Sequence, residues 1–157
     1  MSDLEKAISI AVEAHNGQFD KGGNPYVLHP LRVMMALKTD DEMIVGVLHD
    51  VVEDCSEKGF GWARLKHEGF SETVLDALRS VTKTPEEETQ LKSLAGEERT
   101  SAYLRFVSRA KGNQIGRKVK RSDINDNLNV TRMGSLNEKD LQRLNQYKRA
   151  LQLLDTD

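Results

Sequence analysis

The stretch Met43-Ile44-Val45-Gly46-Val47-Leu48-His49-Asp50-Val51-Val52-Glu53-Asp54 decides the fold. Met43, Ile44, Val45, Val47, Leu48, Val51 and Val52 cover nearly every side of it with apolar groups, the pattern of a helix at the centre of a domain. Asp40 can cap such a helix, which is predicted to run through Cys55. Its second half carries four polar side chains. His49 and Glu53 stand four residues apart, as do Asp50 and Asp54, so at ~100° per residue all four fall within an arc of about 140°. A solvated polar face would be the ordinary explanation, but the apolar flanks oppose it. Three carboxylates buried together are costly unless a cation or protons neutralise them.

The rest of the chain reads as further helices around this one. Ser2 and Glu5 form a capping box, and Leu4, Ile8, Ala11, Val12 and His15 recur at helical spacing to about Asn16. Residues 17–24 hold three glycines and read as a loop. Pro30 suits the first turn of a helix over 30–38. Trp62 and Leu65 mark a short helix stopped at Gly69, and Ser71 caps one striped by Val74, Leu75, Leu78 and Val81. Residues 84–100 are polar and acid-rich, and read as a flexible loop or a frayed helix. Tyr103, Leu104, Phe106 and Val107 restart a helix, residues 114–130 make another, and Asn137 caps a last one bearing Leu141, Leu144, Tyr147, Leu151 and Leu154. That last apolar side can dock on its own domain or on a second subunit, which would make a homodimer. Only three prolines, 5% aromatic residues and no run alternating with period two leave little for a β-fold. The expected architecture is all-α, one compact helical bundle over residues 1–157.

Composition narrows the function classes. The chain has 157 residues, the size of one ordinary domain, with 23 Lys and Arg against 25 Asp and Glu. A net charge of -2 removes the global argument for a nucleic-acid partner. No apolar run approaches the ~20 residues of a membrane span. The acidic start Met1-Ser2-Asp3-Leu4-Glu5 has no signal-peptide character, and the lone Cys55 cannot form an intrachain disulfide. A cytoplasmic protein without a membrane partner is expected.

Other residues join the central four. His29 precedes Pro30 at a helix start and alone would read as a packed or capping histidine. Asp123 and Asn127 lie four apart, facing the same way as Lys120, and alone would read as a hydrated strip. Together His29, His49, Asp50 and Asp123 make a set of two imidazoles and two carboxylates. That mixture suits one divalent metal of the Mn²⁺, Fe²⁺ or Zn²⁺ kind better than Ca²⁺, and such a metal yields a nucleophilic water near neutral pH. Cations that could contact phosphate are Lys21 beside Gly22 and Gly23, Arg32, Lys83, Lys120 and Arg121. Trp62 and Tyr103 read as packed, Cys55 as a semi-buried thiol and His15 as structural.

Three blocks in order carry a resemblance. They are Ala14-His15-Asn16-Gly17-Gln18 with Gly23-Asn24-Pro25-Tyr26-Val27-Leu28-His29-Pro30; Leu48 to Asp54; and Val119-Lys120-Arg121-Ser122-Asp123 with Asn127-Leu128. Over roughly residues 4–130 the chain resembles the HD superfamily of metal-dependent phosphohydrolases. More narrowly it resembles the hydrolase domain of RelA/SpoT-type alarmone enzymes and their short single-domain relatives. The resemblance implies that His29, His49, Asp50 and Asp123 bind the metal, usually Mn²⁺, with Fe²⁺, Zn²⁺, Ni²⁺ or Co²⁺ as alternatives. It implies that Glu53 and Asp54 position or deprotonate the attacking water and that Asn127 contacts the nucleotide. The implied reaction removes pyrophosphate from the 3′ position of guanosine tetra- or pentaphosphate, (p)ppGpp, with no synthetase activity. The chain departs from the family pattern at Asp20, where an arginine commonly helps hold guanine. It departs again at Arg121, commonly apolar, and at Ile124 and Asp126, commonly arginine and histidine. The alternatives are hydrolysis of another nucleotide or phosphate ester by the same machinery, and a non-catalytic nucleotide-binding module. The intact Glu53-Asp54 pair argues for an enzyme.

Overall fold

The computed structural model describes residues 1–157. Ser2 and Glu5 close the expected capping box at the start of α1 (Asp3–Ala14). After the glycine-containing loop, α2 spans Leu28–Met35, two residues earlier than Pro30 suggests but with that proline still in its first turn. The central helix starts as α3 (Asp40–Leu48), capped by Thr39 in a box with Glu42 rather than by Asp40. It does not continue to Cys55. His49 ends it, Asp50 stands between the two helices at φ -100° and ψ -4°, and α4 (Val51–Cys55) follows. Apolar patterning runs straight through this break, so periodicity could not reveal it.

The order continues with α5 (Trp62–His67), α6 (Glu72–Val81), α7 (Pro85–Ser93), α8 (Gly96–Lys111), α9 (Gln114–Asn127) and α10 (Glu138–Asp155). Residues 84–100 therefore form α7 and the first turn of α8. Thr84 caps α7 in a box with Glu87, Pro85 opens it, and Leu91 buries beneath it. No strand forms, and no helix is long and apolar enough to cross a membrane.

The chain is a single all-α bundle. α3 packs against α1, α2, α6 and α9, and Val45, Val47 and Leu48 are fully buried there. A second cluster, with Tyr103, Val107, Ile124, Ala150 and Leu154, fills the space between α8, α9 and α10. The last helix thus docks on its own chain.

Two local features set how α2, α3 and α9 meet. Gly46 lets α2 approach α3: a Cβ there would lie 2.6 Å from Leu37 Cδ1 and 3.3 Å from Met34 Cα. Buried Glu42 accepts from the Lys38 and Thr39 N–H groups and, at 2.6 Å, from Lys118 Nζ on α9. The Lys118 hydrogen bond leads in holding the Glu42 carboxyl below its ordinary range. A depressed carboxyl pKa stabilises the fold above the unfolded value and loses that contribution as pH falls through the folded value. Glu42→Gln is expected to cost about 1–2 kcal/mol at neutral pH. The deficit should shrink as denaturant titrations move below pH 4.5, the ordinary value for this carboxyl.

Candidate metal centre

The break between α3 and α4 exists where His49 and Asp50 turn inward. His49 Nδ1 lies 2.7 Å from the Gly46 carbonyl, which can only accept, so Nδ1 carries a proton and Nε2 is the nitrogen left to face the carboxylates. Asp50 Oδ2 stands 3.1 Å from that Nε2 and accepts from the Tyr26 hydroxyl at 2.5 Å. α2 supplies His29, whose Nε2 is 3.0 Å from Asp123 Oδ1 and 3.7 Å from Asp50 Oδ2. α9 supplies Asp123. Its Oδ1 lies 3.3 Å from His49 Nε2 and accepts from Asn127 Nδ2 at 3.0 Å, while its Oδ2 accepts from Lys120 Nζ at 2.8 Å. His29, His49 and Asp123 are buried.

Two properties of this cluster point to a cation. First, the buried His49 Nε2 has no hydrogen-bond partner, because the nearby carboxylates are close but not aligned with it. Second, one donor atom each of His29, His49 and Asp123 lie within 4.8 Å of one another, and the imidazole–carboxylate spacings run from 3.0 to 3.7 Å. A bond length of about 2.1 Å gives edges of about 3.0 Å in an octahedron and about 3.4 Å in a tetrahedron. The residues present therefore fit a divalent ion.

The electrostatics agree. Burial pulls the His29 imidazole down, yet hydrogen bonding with Asp123 and Asp126 outweighs it and brings the pKa to about 9. Burial likewise opposes a charge on His49, but Asp50 and Asp123 push it well above its ordinary value. Burial acts to raise Asp50 and Asp123; the His49 charge overcomes it at Asp50, and Lys120 followed by His49 overcomes it at Asp123, so both stay depressed. The carboxylates demand positive charge, and without an ion the imidazoles supply it as protons.

The acidic pair diverges. Glu53 accepts from the Lys83 N–H at 2.9 Å and meets Lys83 Nζ at 3.3 Å. Asp54 accepts from Gln18 Nε2 at 3.3 Å. Burial, reinforced by the Asp50 charge, lifts Asp54 to about 7. These groups line a cavity of about 220 Å³ together with Tyr26, His29, Lys120, Asp123, Asn127 and Tyr147.

His29, His49 and Asp123 thus come within mutual reach of one ion, Asp50 stands beside the two imidazoles, and the acidic pair, Lys120 and Asn127 line the adjoining cavity. Lys21 does not join them: it is exposed and pairs at 3.6 Å with Asp140 at the start of α10. Arg32 lies on α2 with its guanidinium on Asp126 at 2.8 Å. Asp20 turns into its own loop, where Oδ1 accepts from the N–H groups of Gly22 and Asn24 at 2.9 Å each. A larger groove of about 690 Å³ runs between α2 and α9, away from the donor set. Three of its four cations, Arg32, Lys118 and Arg121, are engaged by Asp126, Glu42 and Asp155, and the fourth is Lys38. Sequence reasoning gave no site role to Tyr26, Gln18, Asp126 or Tyr147. Tyr26 and Gln18 sit inside one of the motif blocks, and Asp126 is named only as a departure from the resembled pattern, although it follows Asp123 by three residues on one helix face.

No family model matches the chain. Among curated proteins it is similar to a chloroplastic putative GTP diphosphokinase of Arabidopsis thaliana, 36% identical over 97 residues, which covers 55% of this chain and 11% of that protein. It is similar to the guanosine-3′,5′-bis(diphosphate) 3′-pyrophosphohydrolase of Borreliella burgdorferi, 34% identical over 82 residues, 50% of this chain and 12% of that protein. The protein of the same name from Aquifex aeolicus is 35% identical over 85 residues, 52% of this chain and 12% of that protein. The matches thus span about a tenth of the length of these relatives.

In the metal-free protein, the Asp54 carboxyl followed by ¹³C NMR is expected to titrate near 7. Asp50→Asn should move that titration downward, because it removes a negative neighbour.

Proposed function

We propose that the protein is an HD-type metal-dependent phosphohydrolase whose substrate is a guanine nucleotide alarmone, (p)ppGpp, losing pyrophosphate from its 3′ position. The observation that carries the reading is the convergence of His29, His49 and Asp123, with Asp50 beside both imidazoles, at the unpartnered His49 Nε2. The names of the Borreliella and Aquifex relatives support the substrate. Mn²⁺ is the proposed ion, ahead of Fe²⁺, Zn²⁺, Ni²⁺ or Co²⁺; bound there, it supplies Lewis acidity and a water acidified towards neutral pH.

The chain's own residues do the remaining work. Asp54 lines the cavity, held by Gln18, where it can take a proton from the attacking water. Glu53, held by Lys83 at two points, fixes the other side of that water's position. The water oxygen bonds to the phosphorus, the bond from that phosphorus to the ribose 3′-oxygen breaks, and the 3′-oxygen takes a proton. Pyrophosphate and GDP or GTP result. Lys83 and Lys120 face the cavity and offset charge on the leaving oxygen. Asn127 holds Asp123 and offers its remaining polar atoms to the nucleotide.

The cavity of about 220 Å³ is smaller than the ~300–1,000 Å³ that enclose a whole drug-sized ligand. It suits the phosphate end, with the base lying over the mouth. Asp20, where the resembled family commonly has an arginine that holds guanine, is committed to its own loop. That favours a second reading, hydrolysis of another nucleotide or phosphate ester by the same centre.

Metal-stripped protein incubated with guanosine tetraphosphate is expected to release pyrophosphate only when Mn²⁺ is restored, and His49→Ala should abolish the release. Glu53→Gln and Asp54→Asn should lower kcat by about 10²–10⁴ with little change in substrate binding. Bound metal without turnover would move the reading to the other phosphate esters.

A further inference from the structure

We infer that Asp126 is the positioning residue of this centre: its carboxylate orients His29 towards the metal, and Arg32 and Arg132 hold that carboxylate in place. The inference rests on the metal reading above.

The geometry is specific. His29 Nδ1 lies 2.6 Å from Asp126 Oδ2, with the imidazole buried and the carboxylate nearly so. An ionised carboxylate only accepts, so Nδ1 donates to Asp126, and Nε2, which donates to Asp123 in the metal-free protein, is the nitrogen whose proton a metal ion would replace. The two imidazoles are thus braced differently. His49 leans on the neutral carbonyl of Gly46, whereas His29 leans on an anion. An anionic acceptor raises the basicity of the far nitrogen, which makes His29 the stronger donor of the two.

The brace is itself braced. Arg32 Nε donates to Oδ1 at 2.8 Å and its Nη2 to Oδ2 at 3.2 Å. Arg132, on the turn after α9, reaches both carboxylate oxygens at 3.5 Å and donates to the Asp126 carbonyl at 3.2 Å. Two guanidiniums thus hold Asp126 through both oxygens, sharing Oδ2 with His29 Nδ1. Arg32 therefore acts on His29 through Asp126 rather than on a phosphate. Asp123 and Asp126 stand three apart on α9, so one helix meets both nitrogens of the histidine delivered by α2. A plain tether between α2 and α9 would use the Arg32–Asp126 pair and leave His29 indifferent.

Competition with a chromophoric chelator gives the Mn²⁺ and Zn²⁺ affinities of the wild type and of Asp126→Ala, Asp126→Asn and Arg32→Ala. The expected result is about 10–100-fold weaker binding in Asp126→Ala. The isosteric Asp126→Asn, which keeps an acceptor oxygen, should lie between, and Arg32→Ala should lose less than Asp126→Ala. In Zn²⁺-loaded protein, ¹⁵N-edited NMR should find the His29 Nδ1 proton far downfield in the wild type and moved upfield in Asp126→Asn. Affinity in both Asp126 variants within about twofold of a metal-binding wild type would overturn the positioning role alone. So would an Arg32→Ala loss equal to that of Asp126→Ala, which marks a tether. A wild type that binds neither ion would overturn the metal reading itself, and this inference with it. Should Asp126→Ala fail to fold, Asp126→Asn and the proton shift decide the matter.

Discussion

Buried carboxylates with too little protein charge to answer them are the constraint on which the rest of this structure depends. Asp50 and Asp123 face two imidazoles inside a helical core, with Lys120 the only buried ammonium beside them. Uncompensated, such a cluster would cost more than its hydrogen bonds return. In the metal-free state, protons on His29 and His49 balance it, which is why both imidazoles are pushed upward against the pull of burial. The proposed divalent ion would do the same work with one charged centre, and the unpartnered His49 Nε2 is where it would gain a bond.

The fold serves this cluster by delivering each donor from a different helix at fixed spacing. α2 brings His29, the break after α3 brings His49 and Asp50, and α9 brings Asp123. Gly46 sets how closely α2 and α3 approach, and its carbonyl also orients His49. Glu42 and Lys118 pin α3 to α9 one helix-length away from the site. The loop after α1 is shaped by Asp20, and it delivers Gln18 to Asp54 and Tyr26 to Asp50. Packing and chemistry are therefore coupled: the residues that set helix spacing also set donor spacing.

Much of this was legible in the sequence because capping and apolar periodicity are local. The capping box at Ser2, the caps at Ser71 and Asn137, and the stripe on α6 all act within a turn or two of themselves. The break at His49-Asp50 was not legible, since Val51 and Val52 continue the apolar pattern and the interruption comes from polar side chains reaching inward. Residues 84–100 misled in the opposite direction. Their composition is loop-like, but Thr84, Pro85 and Glu87 form a strong helix start. Lys21 and Arg32 were named from charge and loop position alone, and each met a carboxylate from a distant segment, Asp140 and Asp126. Tyr26 and Asp126 act through partners far away in sequence, which spacing on one chain segment cannot disclose.

The central claim is that the buried donor set binds a divalent ion in the folded state only. Thermal unfolding of the chelator-treated protein, with and without Mn²⁺, tests it most directly. At an ion concentration a hundred times the dissociation constant, linkage gives about 2.7 kcal/mol. For a domain of this size that corresponds to a rise in Tm of roughly 5–10 °C. The account predicts this rise in the wild type and its loss in Asp123→Asn. An unchanged Tm in the wild type across Mn²⁺, Zn²⁺ and Fe²⁺, or an equal rise in Asp123→Asn, would contradict it.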